Sequence, residues 1–263
     1  MLPAMTVLLS TAPAAFGTLG EAGELPAGVE ARTHEGPGGE TYNHLFVAPP
    51  RIEEGVKYPL VVFLHGSGER GDDPAVLAKH FFPEMLSEEY RTRFPCYIIA
   101  PQCPAGERWA DLDWRTGEGG GALTAPLAGA KKLLGDSLAS LPVDRSRVYL
   151  TGLSMGGYGT WAWAAREPGT FAAALPICGG GDAGTAATLK DLPIWCGHGA
   201  ADPAVPVERS REMVAAVAAA GGSPIYVEYP GVGHLVWGTV YGTPEGAVAW
   251  LFRQRRPAVA VEE

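Results

Sequence analysis

The chain is poor in the features that would tie it to nucleic acid, metal or membrane. Twenty Lys and Arg against 29 Asp and Glu leave a formal net charge of −9. Phosphate backbones and anionic headgroups reward basic patches, so neither nucleic acid nor an anionic membrane surface is expected as a partner. The basic run Arg253-Gln254-Arg255-Arg256 is short and reads as the polar end of a last helix. Cysteine is scarce: Cys96, Cys103, Cys178 and Cys196 show no metal-ligand spacing. Cys96 and Cys196 fall in or beside apolar strand runs and read as small core residues, while a Cys96–Cys103 or Cys178–Cys196 disulfide stays open. No Lys or Arg precedes Arg32. The Ala-rich run Met5–Phe16 therefore lacks the positive segment of an export signal, although Ala12-Pro13-Ala14 resembles a cleavage site. Export and cytoplasmic retention both stay open. The same run is too short to span a bilayer, so no membrane insertion is expected.

What is present points to a globular enzyme. Apolar residues make up 46% and charged residues 19% of 263, ordinary for a folded domain with a substantial core. Val29–Thr33 and His44–Ala48 flank Gly36-Pro37-Gly38-Gly39 and predict an antiparallel hairpin. Continuous apolar runs at Pro59–Leu64, Cys96–Ala100 and Val148–Leu150 predict strands covered on both faces. Phe171–Ile177, Leu192–Cys196 and Ile225–Tyr229 continue the series. Helical patterns lie between them at Leu127–Leu141, Gly156–Arg166, Pro206–Ala220 and Pro244–Arg253. Alternation of this kind predicts one α/β domain over residues 29–256, a mostly parallel twisted sheet with a leading antiparallel hairpin and helices on both faces. Residues 1–28 and 257–263 read as tails.

The most informative stretch is Gly152-Leu153-Ser154-Met155-Gly156-Gly157, directly after Val148-Tyr149-Leu150. A strand ends, the chain turns sharply through a serine, and a helix begins. Gly152 and Gly156 flank the serine because helix and strand are pressed together there, and the strained turn exposes the hydroxyl. In a parallel sheet the working residues belong at carboxyl ends of strands. Four such ends carry His65-Gly66-Ser67-Gly68, Ser154, Asp202 and His234, in that order.

A serine hydroxyl needs a base to take its proton, and His234 is the candidate. Asp202 would hold the other ring nitrogen, and backbone N–H groups of Ser67 and Met155 would meet the oxyanion. His198 is a rival base, but it lies four residues before Asp202, in the acid loop itself. Asp182 and Asp191 are rival acids: Asp182 follows a strand one place too early, and Asp191 precedes its strand. His65 supports the oxyanion loop rather than acting as a base. His34, His44 and His80 read as surface or packing residues.

With these motifs the chain resembles α/β-hydrolases of the predicted-peptidase and carboxylesterase group, close to dienelactone-hydrolase-like and prolyl-oligopeptidase-like serine hydrolases. The resemblance is carried by Leu64-His65-Gly66-Ser67-Gly68-Glu69-Arg70-Gly71-Asp72, Ala100-Pro101-Gln102-Cys103-Pro104 with Trp109 and Trp114, Thr151–Trp161, Pro176–Gly181 and Gly231–His234. It covers roughly residues 29–254 and implies an α/β-hydrolase fold with a Ser-Asp-His triad, on Ser154, Asp202 and His234, and no metal or other cofactor. Two departures exist. Leu235-Val236-Trp237 keeps only the Trp of the segment that often follows the histidine, and dienelactone hydrolases proper carry Cys where this chain has Ser154.

The 13 residues between Cys178 and Leu192 leave no room for a cap domain, so an open site is expected. The longest loop, Pro101–Ala125, predicts one wall of the cleft. Trp109 and Trp114, with His65, are candidate substrate-binding residues, a Trp ring stacking on a sugar or aromatic ring; the alternative is that both tryptophans simply pack the loop down. The function expected is hydrolysis of carboxylic esters, short acyl or hydroxycinnamoyl, on small-molecule or carbohydrate-linked substrates. A peptidase using the same triad and a non-catalytic module on the same fold are the alternatives.

Overall fold

A computed structural model describes residues 24–119 and 121–257. Nearly all of the expected tails, 1–28 and 257–263, lie outside these residues. Eight strands form one sheet: β1 (Val29–Glu35), β2 (Thr41–Val47), β3 (Tyr58–Leu64), β4 (Tyr97–Pro101), β5 (Val143–Leu153), β6 (Ala173–Ile177), β7 (Trp195–Gly199) and β8 (Ile225–Tyr229). Their spatial order is β1-β2-β4-β3-β5-β6-β7-β8. β2 runs antiparallel to both β1 and β4, and every other pair is parallel. The expected fold class is thus present, leading hairpin included.

Seven α-helices accompany the sheet among the described residues: α1 (Phe82–Met85), α2 (Glu88–Arg93), α3 (Ala125–Ser140), α4 (Met155–Arg166), α5 (Glu208–Ala219), α6 (Trp237–Tyr241) and α7 (Ala247–Arg253). The continuous apolar strands feed two separate cores. Val61, Phe63, Ile98 and Tyr149 pack on one face with α1, α2, α6 and α7. Leu60, Val62, Leu64, Ile99 and Leu150 pack on the other with α3, α4 and α5. Side chains alternate along a strand, so a strand apolar at every position must be covered twice.

The differences from the sequence reading have local causes. β5 begins at Val143 rather than Val148, because Tyr58 pairs with Val143 and the register shifts before Leu60, at Pro59, which has no N–H to give a ladder. The polar Asp144–Arg147 segment hid this extension. β7 starts at Trp195 rather than Leu192, because Pro193 and Ile194 make isolated contacts with Ala174 before the ladder begins. Helices α1, α2 and α6 have no long amphipathic period to mark them. All four cysteines are free and buried, so neither pairing left open by the sequence is formed.

One contact sets the position of α4. A Cβ on Gly156 would lie 1.9 Å from the Leu64 carbonyl oxygen, and one on Gly152 would lie 2.4 Å from the Gly156 oxygen. Backbone cannot yield there as a flexible side chain could. Gly156→Ala should therefore destabilise the protein by more than about 3 kcal/mol, at or beyond the usual range for overpacking. Urea denaturation of the purified variant measures this; an unchanged midpoint would mean that strand and helix are not in contact.

Candidate active site

Adjacent strands β3, β5, β6, β7 and β8 end at one edge of the sheet, and the loops that follow them converge. Ser154 sits between β5 and α4 with φ 54° and ψ −120°. Positive φ is costly for a side-chain-bearing residue. It is held by Ser154 N–H donating to the Ile177 carbonyl at 2.9 Å and by Tyr158 N–H donating back to the Ser154 carbonyl at 3.1 Å. The Ser154 hydroxyl is 2.8 Å from Nε2 of His234, and His234 Nδ1 is 2.6 Å from Oδ2 of Asp202. These three residues, 80 and 32 positions apart along the chain, form one hydrogen-bonded line.

The Asp202 carboxylate is fully enclosed and receives four donors. Oδ1 accepts from the backbone amides of Ala204 and Val205 at 2.8 and 2.9 Å, an Asx turn. Oδ2 accepts from His234 and from His198 Nε2, the latter at 3.2 Å. Burial alone would push this carboxyl up; the hydrogen bonds from His198, His234 and the two amides outweigh it and hold the acid well below the usual carboxylate range. The acid and histidine loops touch backbone to backbone: Ala201 N–H donates to the Val232 carbonyl at 2.9 Å, and a Cβ on Gly199 would meet the Gly233 oxygen at 2.3 Å.

Met155 is the first residue of α4, and the amides of a first helical turn lack intrahelical acceptors. Ser67 opens a 3₁₀ turn, Ser67–Glu69, just after β3. The loop is braced from beneath. His65 is buried; its Nδ1–H donates to the Gly66 carbonyl at 2.6 Å and its Nε2 accepts the Cys103 N–H at 2.9 Å. Burial pushes this imidazole down to about 4, so it stays neutral at physiological pH. Trp109 has no exposed surface, and its indole N–H donates to the His65 carbonyl at 3.0 Å. Two expectations are corrected here. Neither Trp109 nor His65 can touch substrate; both support the loop that carries Ser67, because the loop between β4 and α3 folds Trp109 inward against His65 and Gly159.

Trp114 is different. It is 40% exposed and lines a cavity of about 450 Å³ with Arg70, Glu107, Arg108, Leu112 and Asp113. Tyr158, one turn into α4, donates its hydroxyl to the Trp114 carbonyl. The Pro101–Ala125 loop and the oxyanion loop thus share one wall.

His198, weighed as a rival base, lies on the far side of Asp202 and is fully buried. Its Nε2 faces two acceptors, Asp202 and the Val205 carbonyl at 3.1 Å, and so carries a proton; Nδ1 meets Ser210 Oγ at 2.7 Å. Its place in Gly197-His198-Gly199, at a strand end four residues before the acid, was the available signal. Asp182 caps a short 3₁₀ segment through Gly184 N–H, and Asp191 is an exposed residue ahead of β7. Cys178, directly after β6, has φ 39°, and its sulfur lies within 4.8 Å of ligand atoms of Asp202 and His234. Burial pushes this thiol well above its usual range. The trio does not suit a cation: the thiol is neutral, and the 2.6 Å contact between His234 and Asp202 leaves no gap for an ion.

This sheet order, with a serine elbow after β5 and an Asp and a His on the neighbouring strand ends, defines an α/β-hydrolase, and the chain belongs to that superfamily. The model of the dienelactone hydrolase family matches residues 127–236. A solved thermostable esterase is 38% identical, with a TM-score of 0.81, over 87% of this chain and 64% of that one. A ferulic acid esterase of solved structure shares 16% identity, with a TM-score of 0.68, over 86% and 98% of the two chains, a likeness of fold. Among curated proteins, poly(3-hydroxyalkanoate) depolymerase C of Paucimonas lemoignei is 36% identical over 90 residues, which are 32% of this chain and 20% of the depolymerase. The chain therefore spans about two thirds or less of the length of these sequence relatives. Among the described residues no helix is long and apolar enough to cross a membrane.

A pH dependence of stability follows from Asp202. Its folded pKa is depressed below an unfolded value of about 3.9. Its contribution is thus complete above that value and is lost as pH falls through the folded one. Between about pH 4 and pH 2 the melting temperature of the wild type should fall more steeply than that of Asp202→Asn, which has no carboxylate to protonate. Parallel melting curves against pH would contradict the depressed acid.

Proposed function

We propose that this protein is a serine hydrolase that cleaves carboxylic esters through an acyl-enzyme on Ser154. The observation that carries the reading is the line Ser154 Oγ–His234 Nε2 at 2.8 Å and His234 Nδ1–Asp202 Oδ2 at 2.6 Å, on a serine with positive φ. The esterase that shares 38% identity supports ester rather than amide chemistry.

Ser154 Oγ attacks the ester carbonyl carbon as His234 Nε2 takes the hydroxyl proton. The carbonyl π electrons move onto oxygen, where the N–H groups of Ser67 and Met155 receive the charge. Asp202 keeps the Nδ1 proton in place and stabilises the imidazolium. The C–O bond to the alcohol breaks as His234 returns the proton to it. Water then repeats the sequence on the acyl-enzyme, releasing the acid and restoring Ser154.

Trp114 shares a cavity with Arg70, the residue that follows the turn carrying Ser67, and this continuity supports an acyl pocket there. The exposed Trp114 face suits a planar ring, which extends the range from short acyl groups to hydroxycinnamoyl esters.

Ser154→Ala should abolish both labelling by a fluorophosphonate probe and hydrolysis of p-nitrophenyl butyrate. Asp202→Asn should lower kcat on the order of 10⁴-fold with the fold intact, because the histidine tautomer is lost. Folded wild type that takes up no probe would sink the reading, and faster turnover of peptide amides than of matched esters would replace it with a peptidase. Trp114→Ala should raise KM for methyl ferulate by about tenfold more than for p-nitrophenyl acetate, about the stacking contribution of one ring; equal changes on both would remove Trp114 from the acyl site.

A further inference from the structure

Glu69 ends the 3₁₀ turn that carries Ser67 and is only 8% exposed. Its backbone carbonyl accepts from Gln102 Nε2 at 3.0 Å. Among the described residues nothing donates a hydrogen bond to its carboxylate. The nearest partner is His80 Nε2 at 3.7 Å, beyond hydrogen-bond distance. His80 is itself kept below its ordinary pKa by burial, with Lys79 acting the same way and Glu69 against it. The neighbouring Arg70 is turned elsewhere, donating to the carbonyls of Ser67 and Glu107. The carboxylate oxygens keep a little contact with solvent, so a donor carried by a ligand can reach them.

The location indicates which donor. A Cβ placed on Gly66 would lie 3.1 Å from Glu69 Oε2 and 3.7 Å from Ser154 Cβ, so carboxylate and serine flank one point of the oxyanion loop. The His80 ring stands edge-on to Trp237, with centroids 5.2 Å apart, and Trp237 stands edge-on to His234 at 5.3 Å. This row runs from Glu69 to the imidazole that returns a proton to the leaving alcohol. The alcohol departs beside that imidazole, which ties the row to the leaving half of the ester. The cavity that holds Trp114 is lined by none of these groups.

We propose that the Glu69 carboxylate accepts a hydrogen bond from a hydroxyl on the alcohol half of the substrate, which makes esters of polyhydroxy alcohols the preferred class. The inference rests on Ser154 being the acylated nucleophile. A neutral ester without that hydroxyl leaves the carboxylate desolvated and unpaired when it binds, a penalty that acts as selectivity.

The test uses the full chain and two acetates, 2-hydroxyethyl acetate and 2-methoxyethyl acetate. They share the acyl group, their leaving alcohols are of similar acidity, and they differ in one donor. Wild-type kcat/KM should favour the hydroxyl ester by at least about tenfold, the scale of a hydrogen bond to a charged group. A ratio within about twofold of unity overturns the proposal whatever the variants do. In Glu69→Gln the ratio should fall to less than about a third of the wild-type value. An unchanged ratio, including equal losses on both esters, would make Glu69 a brace for the loop and overturn the proposal. Hydrolysis of p-nitrophenyl acetate but of neither test ester overturns it and leaves the ester reading standing; no hydrolysis of any ester removes both.

Discussion

Where β5 gives way to α4, three stretches of backbone meet with no side chain between them. Gly152, Gly156 and the carbonyl of Leu64 approach so closely that a single methyl group would not fit. This contact holds the first turn of α4 against the end of β3. It thereby puts the Met155 amide on one side of Ser154 and the Gly66-Ser67 loop on the other. Strain at Ser154 is a consequence: the chain must reverse in one residue, and the Ile177 carbonyl and Tyr158 amide keep it there. A packed two-sided core offsets the cost, since β3, β6, β7 and the end of β5 are buried on both faces at this edge.

The electrostatics of the site depend on a carboxylate that is never left alone. Asp202 is enclosed, yet four donors surround it, two from its own turn and two from imidazoles on opposite sides. An ionised acid in a dry place is tolerable only under those conditions. Its charge is then available to hold the His234 proton on the nitrogen that faces away from Ser154. His198, Ser210 and the Gly179 carbonyl continue the network into α5 and the loop after β6. The geometry of the base is thus fixed by the protein interior as well as by its own loop. Glu69 is the contrast: mostly enclosed, close to the same serine, and without a protein donor of its own.

Beneath the oxyanion loop, the histidine and the tryptophan that looked like contacts for substrate turn out to be foundations. Both rings are apolar surfaces with one or two polar atoms, and a ring of that kind serves a ligand or a core equally well. Their N–H groups found backbone carbonyls on the loop itself, which tied them inward. Trp114, five residues further along, has only its carbonyl engaged and leaves its ring to solvent and to the Arg70 cavity.

Much was readable from residue order. Runs apolar at every position demand a sheet covered on both faces, and they do so whatever lies beside them. Glycines on either side of Ser154 demand a close approach of strand and helix. Chemistry-bearing residues placed at strand ends must share one edge of a parallel sheet, which brought Ser154, Asp202 and His234 together in expectation before any distance was known. Other features depend on what comes alongside in space. The start of β5 at Val143 rests on its pairing with Tyr58, the inward turn of Trp109 on a carbonyl 44 residues away, and the partnership of His198 with Asp202 on how the acid loop folds back. Periodicity and local spacing decide the elements and their order, because they act through bonds along the chain. Which face of a ring meets water, and which buried charge finds a donor, is decided only by neighbours the tertiary fold supplies.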